Sequence, residues 1–148
     1  MKLTFPHMGY SYVAFKMLIE DLGYEVVVPP EPSKRTMDLG VRYSPEFSCI
    51  PFKVLLGTFL ETIEMGAEVG ISSGGVGPCR AGYYSIMQQK IINELGHDFK
   101  ILSFEPPQSN YLDFIKKLWM IKPKRMSWRT FIQLIKKGYK KLEITDEI

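Results

Sequence analysis

The alternation of short apolar segments with helical segments is the feature that most constrains the fold of this chain. Apolar, β-branched runs at residues 2–6, 25–28, 68–72 and 100–104 predict four short strands. The helical patterns before the last three strands each stop at a glycine, namely Gly23, Gly66 and Gly96. Because strands joined by helices run parallel, the order predicts an α/β fold: a parallel, doubly wound sheet of about four strands with flanking helices.

The helical patterns that connect these strands lie at residues 12–22, 50–65 and 83–95, with a shorter helix before residue 39 that Ser33 or Thr36 would cap. After Pro107 the pattern changes, because residues 110–121 and 128–139 are both helical. We therefore expect an α/β domain over residues 1–107 and a helical extension over residues 108–148. The extension would be the start of a further domain, or the chain a fragment or subunit that needs a partner.

The composition excludes several classes of protein. With 148 residues, 45% of them hydrophobic, the chain fits one ordinary globular unit and is not a disordered sequence. A net charge of +3 does not indicate nucleic acid binding, and no apolar run is long enough to predict a membrane span. The two cysteines and the absence of an export signal indicate a reducing, cytoplasmic setting, where thiols are reactive, metal-bound or buried.

A glycine-rich turn follows the third predicted strand and contains Gly75, Gly77 and Pro78. The glycines let the backbone come close to a ligand, and the proline favours the start of a helix. Cys79 and Arg80 would then lie in the first helical turn, where backbone N–H groups and the helix dipole favour a thiolate or another anion. The same residues also fit a simple β-to-α connection with a buried cysteine.

Cys49 has a similar setting, because it precedes Pro51 at the start of a predicted helix that leads into the third strand. Both thiols, and His7 after the first strand, are therefore expected at the carboxyl edge of the sheet, where ligands bind in such folds. Two thiolates there would suit a soft metal or an iron–sulfur cluster, with His7, a substrate atom or a partner's group as a third ligand. The alternatives are a small core cysteine and a histidine bonded to backbone.

Three segments resemble the 2-hydroxyacyl-CoA dehydratase and CoA-enzyme-activase-related family, and more narrowly its CoA protein activase branch. They read FPHMG at 5–9, YSPEFSCIPFK at 43–53 and GGVGPCRAGYY at 74–84, and the resemblance spans roughly residues 2–107. The resemblance implies an oxygen-sensitive [4Fe-4S] cluster held by cysteines, here Cys49 and Cys79. In the dehydratases this cluster passes one electron to a 2-hydroxyacyl-CoA, and a separate ATP-hydrolysing activator supplies that electron.

The chain departs from this family at several points. It offers two cysteines, and Val76 stands where a further cysteine would be well placed. No Walker-type phosphate-binding motif is present in the sequence, so the chain is not itself expected to be a P-loop ATPase. A second subunit or missing domains, and an acyl-CoA, are the partners that the resemblance implies.

Two other functions fit the same residues. In one, the turn binds a phosphate or CoA moiety through Gly75, Gly77 and Arg80 without a metal. In the other, the chain is a non-catalytic interaction domain, with lysines 136, 137, 140 and 141 facing an anionic partner and an exposed apolar patch along Trp119, Trp128 and Phe131. Those lysines also fit a simple solvated helix end.

Overall fold

The computed structural model describes residues 1–7, 9, 11–73, 79–104, 111–123 and 126–146. Within these residues it confirms the predicted α/β fold. The elements in chain order are β1 (Lys2–Thr4), α1 (Ser11–Asp21), β2 (Glu25–Val26), α2 (Lys34–Tyr43), α3 (Ile50–Glu64), β3 (Val69–Ser73), a 3₁₀ turn (Arg80–Tyr83), α4 (Tyr84–Glu94), β4 (Lys100–Phe104), α5 (Tyr111–Ile121) and α6 (Trp128–Asp146).

The four described strands form one parallel sheet in the order β2-β1-β3-β4. In the centre of the sheet Leu3 pairs with Val69 and Thr4 with Gly70. From β1 the chain continues to β2 at one edge of the sheet, and from β3 it continues to β4 at the other edge. The carboxyl ends of β1 and β3 therefore flank the point at which the strand order reverses, where ligands bind in open α/β sheets. The strands are short because helix caps and proline pairs follow them closely.

Helices cover both faces of the sheet, and each face has its own hydrophobic core. One core joins the sheet to α1, α5 and α6 and is built on residues such as Leu3, Phe5 and Phe131. The other joins it to α3 and α4 and is built on residues such as Phe59 and Ile92. Since α5 and α6 share a core with the sheet, the extension packs on the α/β unit, while a domain boundary at residue 107 stays a prediction.

Helices α2 and α3 cross very closely, and two glycines make the crossing possible. A Cβ at Gly57 would lie 1.9 Å from the Thr36 carbonyl oxygen, and one at Gly40 would lie 1.9 Å from the Lys53 carbonyl oxygen. The predicted cap is a reciprocal one: Ser33 is the N-cap of α2, and its backbone N–H donates to the Thr36 hydroxyl at 2.9 Å. These contacts fix α2 on α3, and so fix the start of α3.

Two local predictions differ from the structure. α4 begins at Tyr84, within one residue of the predicted pattern, but a 3₁₀ turn at Arg80–Tyr83 precedes it, so Cys79 and Arg80 do not lie in the first turn of α4. Gly82 lies in the turn, and glycine is a poor former of α-helix. Phe131 is 1% exposed, because α6 turns this side chain toward α1 and the sheet. In the described part of the chain, no helix is long and apolar enough to cross a membrane.

Candidate functional site

Cys49 is placed at the start of α3 by local sequence. It is the N-cap residue of the helix, with extended backbone, and a proline follows within the first two helical positions. Its side chain does not cap the helix but forms a hydrogen bond with the hydroxyl of Tyr84, across to the start of α4. The thiol is solvent-exposed, which excludes the small-core-residue interpretation of this cysteine.

Tyr84 is the residue around which the site is arranged. Its ring packs edge-to-face on Phe52, with ring centroids 5.2 Å apart, so the hydroxyl is held at the N-terminal ends of α3 and α4. The hydrogen bond to Cys49 raises the pKa of Tyr84 to about 12, with smaller contributions from burial and from the negative charges of the Cys49 and Cys79 thiolates. A phenol that stays protonated can donate to sulfur at neutral pH.

Cys79, the second cysteine of the chain, lies 30 positions after Cys49 in the sequence. It is the N-cap of the 3₁₀ turn that precedes α4, and its thiol is exposed. Because its thiolate charge contributes to the raised pKa of Tyr84, Cys79 is within electrostatic reach of that hydroxyl. Both thiols are exposed and both contribute to the raised pKa of Tyr84, and a site shared by the two thiols stays a prediction.

An open cavity of about 230 Å³ adjoins Cys49. Cys49, Tyr84 and Ser48 line it together with large apolar side chains, among them Phe52, Met87 and the largely exposed Phe47. Hydrocarbon on one side of a thiolate strengthens its interaction with a hydrogen-bond donor or a cation, because the local dielectric is lower than that of water. The cavity can hold part of a ligand or a group from a partner against Cys49.

Of the other predicted site residues, the structure describes His7. His7 follows β1 and is half-buried, with its ring stacked on that of Tyr12 at a centroid distance of 5.2 Å. This contact puts it beside the start of α1, and α1 covers the opposite face of the sheet from α3 and α4. Gly75 and Gly77 lie outside the described residues, as does the side chain of Arg80.

The donor set for a metal is partial. Within the described residues, no three histidine, cysteine, aspartate or glutamate side chains are grouped closely enough to hold a metal ion. The sequence contains two cysteines, whereas a [4Fe-4S] cluster is held by four thiolates. The two cysteines are half of the thiolates that such a cluster takes, so the described residues of this chain do not form a complete site for it.

A comparison with protein families matches residues 6–69 to a CoA enzyme activase uncharacterised domain. The matched segment is 64 of the 148 residues of the chain. The predicted resemblance is confirmed for the segment that contains His7 and Cys49, while the second cysteine motif, with Cys79, follows the matched activase domain. Searches of curated proteins and of solved structures find no match to the chain.

Sequence reasoning did not identify Tyr84 as the centre of the site, although the residue lies within the third quoted motif. It also missed a set of buried polar side chains between the sheet and α4. Ser85 and Gln88, on the inner face of α4, and Thr4 in β1 have buried polar atoms without a hydrogen-bond partner in the described part of the chain. Ser85 and Gln88 are three positions apart and so lie on one face of α4, but nothing in the sequence indicates that this face is buried.

Proposed function

We propose that this chain supplies Cys49 and Cys79 as a pair of thiolate ligands to an iron–sulfur centre that it shares with a second subunit. The protein would act in the chemistry of 2-hydroxyacyl-CoA dehydratases or of their activases. The observation that carries the proposal is that both thiols are exposed, with Cys49 hydrogen-bonded to the Tyr84 hydroxyl and Cys79 contributing to the raised pKa of that hydroxyl. The family match over residues 6–69 supports the substrate class, an acyl-CoA thioester.

The role of each residue follows from its place. Cys49 and Cys79 would bind iron as thiolates, and the Tyr84 hydroxyl would donate to the Cys49 sulfur, since hydrogen bonds to ligand sulfurs tune such centres. The apolar wall formed by Phe47 and Phe52 would limit the access of water to one side of Cys49. A bound cluster supplies one-electron transfer.

The proposal is tested by reconstituting the purified full chain with ferrous iron and sulfide in the absence of oxygen. We expect a brown protein with a sulfur-to-iron charge-transfer absorption, in an assembly larger than a monomer. Cys49→Ser and Cys79→Ser should each abolish the colour and most of the bound iron. Ser48→Ala is the matched control, because it changes a residue that lines the same cavity and leaves both thiols in place.

Equal iron and sulfide contents in the wild type and in both cysteine variants would contradict the proposal. A colourless wild-type chain, under conditions in which a known cluster protein is reconstituted in parallel, would contradict it as well. Size-exclusion chromatography under anaerobic conditions separates a shared centre from one bound by a single chain. A shared centre requires that the coloured fraction elute as an oligomer.

A second function is favoured by the buried polar atoms under the α4 helix. Thr4 faces the α3 and α4 side of the sheet, because its partner Gly70 approaches Phe59 and Phe99 of that core. Ser85 and Gln88 face the same interior from α4. Buried hydroxyl and amide groups without partners are costly, and a polar ligand beside the glycine turn would satisfy them.

This alternative, a phosphate- or CoA-binding module without metal, is separated from the first by thermal unfolding. CoA, or inorganic phosphate alone, should raise the melting temperature of the wild type and of the Cys49→Ser and Cys79→Ser variants equally. Gly75→Val and Gln88→Leu should remove the shift. If no ligand changes the melting temperature, or if the shift disappears with the cysteines, the module interpretation is wrong.

A further inference from the structure

Helices α5 and α6 expose a group of large apolar side chains that the cysteine site does not use. We call this group the tryptophan surface, and each of its members is at least 40% exposed. Its residues are Leu112, Ile115, Trp119, Trp128 and Ile132. Single exposed apolar residues are common on proteins, but a contiguous apolar group across two helices is typical of a binding surface.

The tryptophan surface is continuous across the two helices. The rings of Trp119 and Trp128 lie with their centroids 6.4 Å apart, which joins the apolar stripe of α5 to that of α6. Trp128 also packs edge-to-face on the buried Phe131, at 5.9 Å, so its position is fixed by the core. Lys122 lies over the Trp128 ring, with its Nζ 5.3 Å from the ring centroid.

The spacing within the surface is that of a face on which another helix packs. Leu112, Ile115 and Trp119 follow one another at i, i+3 and i+7, and Trp128 and Ile132 at i and i+4. This is the repeat of core positions in helix bundles and coiled coils, in which a neighbouring helix inserts its own apolar side chains.

Cations border the stripe at the matching positions of both helices. Lys116 follows Ile115 and Arg129 follows Trp128, while Lys136 lies one turn beyond Ile132 on the same edge as Arg129. In the part of the chain that the structure describes, all three are exposed and none forms an ion pair. The charged side chains described on α5 and α6 are all cations. In coiled coils these flanking positions select the charge of the partner helix.

We propose that the tryptophan surface binds an amphipathic helix of a partner protein whose apolar seam is flanked by Asp and Glu. The seam of the partner packs on Trp119 and Trp128, and its carboxylates meet Lys116, Arg129 and Lys136. A second copy of this chain is disfavoured, because its own α5 and α6 carry the same positive charge at the seam. The surface is separate from the cysteine pair, so this binding does not depend on an iron–sulfur centre.

Intrinsic fluorescence gives a direct test, because the chain has two tryptophans and both are in the surface. The full chain is titrated with a synthetic helical peptide that carries leucine along its seam and glutamate on both flanks. A peptide of the same length with lysine on the flanks is the control probe. We expect the acidic peptide to shift the emission to the blue in a saturable way that weakens at high salt, and the basic peptide to cause no shift.

Charge reversal then separates recognition from nonspecific attraction. Arg129→Glu/Lys136→Glu should lose at least tenfold in affinity for the acidic peptide and should gain binding of the basic one. Lys137→Glu reverses a charge on the opposite side of the same helix from the seam, and should retain the wild-type preference. The gain of basic-peptide binding is an outcome that mere unfolding of α6 cannot produce.

Several results would overturn the proposal. One is a wild-type chain that binds neither peptide, and another is equal binding of both peptides. A third is a blue shift with vesicles rich in phosphatidylserine but none with the acidic peptide, which would assign the surface to a lipid headgroup layer. A blue shift that rises with protein concentration in the absence of peptide would assign it to self-association.

Discussion

The Cys49 thiol and the Tyr84 hydroxyl form a hydrogen bond that joins the start of α3 to the start of α4. α3 leads into strand β3 and α4 follows that strand, so the hydrogen bond lies at the carboxyl edge of the sheet, on the face that α3 and α4 cover. The thiolate charge of Cys79, 30 positions further along the sequence, makes a smaller contribution to the pKa of the same hydroxyl. The proposed function depends on this arrangement.

The first prediction concerns the titration of Tyr84. Cys49→Ala should lower the pKa of Tyr84 from about 12 toward its ordinary value of 10, because the hydrogen bond to Cys49 is the largest cause of the rise. Cys79→Ala should lower this pKa by less, since Cys79 acts through charge alone. The pKa is measured by NMR titration of the labelled tyrosine ring carbon, and a wild-type Tyr84 that titrates near 10 would be inconsistent with the bond.

The raised pKa also sets the pH range in which the bond contributes to stability. A phenol whose pKa is higher in the folded state than in the unfolded state stabilises the fold below its unfolded value, and the contribution is lost as the pH rises through the folded value. The wild type should therefore exceed Tyr84→Phe in free energy of unfolding at neutral pH. The difference should shrink between pH 10 and about 12, as followed by urea unfolding at several pH values.

The second prediction concerns the close crossing of α2 and α3. Gly57→Ala should lower the free energy of unfolding by about 3 kcal/mol, because the new methyl group meets the Thr36 carbonyl oxygen and one of the helices must move. Gly138→Ala is the matched control in another helix, where the nearest atoms belong to the flexible side chain of Leu18. Its effect should stay within about 1 kcal/mol. Equal stabilities in urea would show that the crossing is looser than described.

The third prediction concerns Thr36, whose hydroxyl donates to the buried carboxylate of Glu61 at 2.6 Å and accepts from the Ser33 backbone. Thr36→Val keeps the side-chain volume and should cost about 2–3 kcal/mol, because it leaves a buried charged group without this donor. Ser33→Ala should cost about 1 kcal/mol, since it removes the helix cap alone.

A double variant tests this explanation of the Thr36 effect. Replacing both partners by apolar groups removes the unsatisfied carboxylate, so Thr36→Val/Glu61→Leu should be more stable than Thr36→Val. Thermal unfolding of the single and double variants measures the difference. If Thr36→Val/Glu61→Leu is less stable than Thr36→Val, then other groups satisfy the Glu61 carboxylate, and the explanation of the Thr36 effect is wrong.

The fold could be predicted from the sequence because its determinants are local. Gly23, Gly66 and Gly96 each end a helix before a strand and adopt positive φ, as at Gly66 with φ 92°. The site could be predicted in part, since Cys49 and Cys79 each carry a local helix-start signal. The Tyr84 contact and the burial of Phe131 could not be predicted, because they depend on which face of α4 or α6 turns toward another element.

The central claim is that Cys49 and Cys79 face one common site, and cross-linking of the reduced chain with dibromobimane tests it most directly. This reagent becomes fluorescent when two nearby thiols react with the same molecule. We predict a fluorescent product that remains a monomer on a denaturing gel and that is absent from Cys49→Ala and Cys79→Ala. A wild-type chain that gives only single-thiol adducts, with both thiols modified, would contradict the claim.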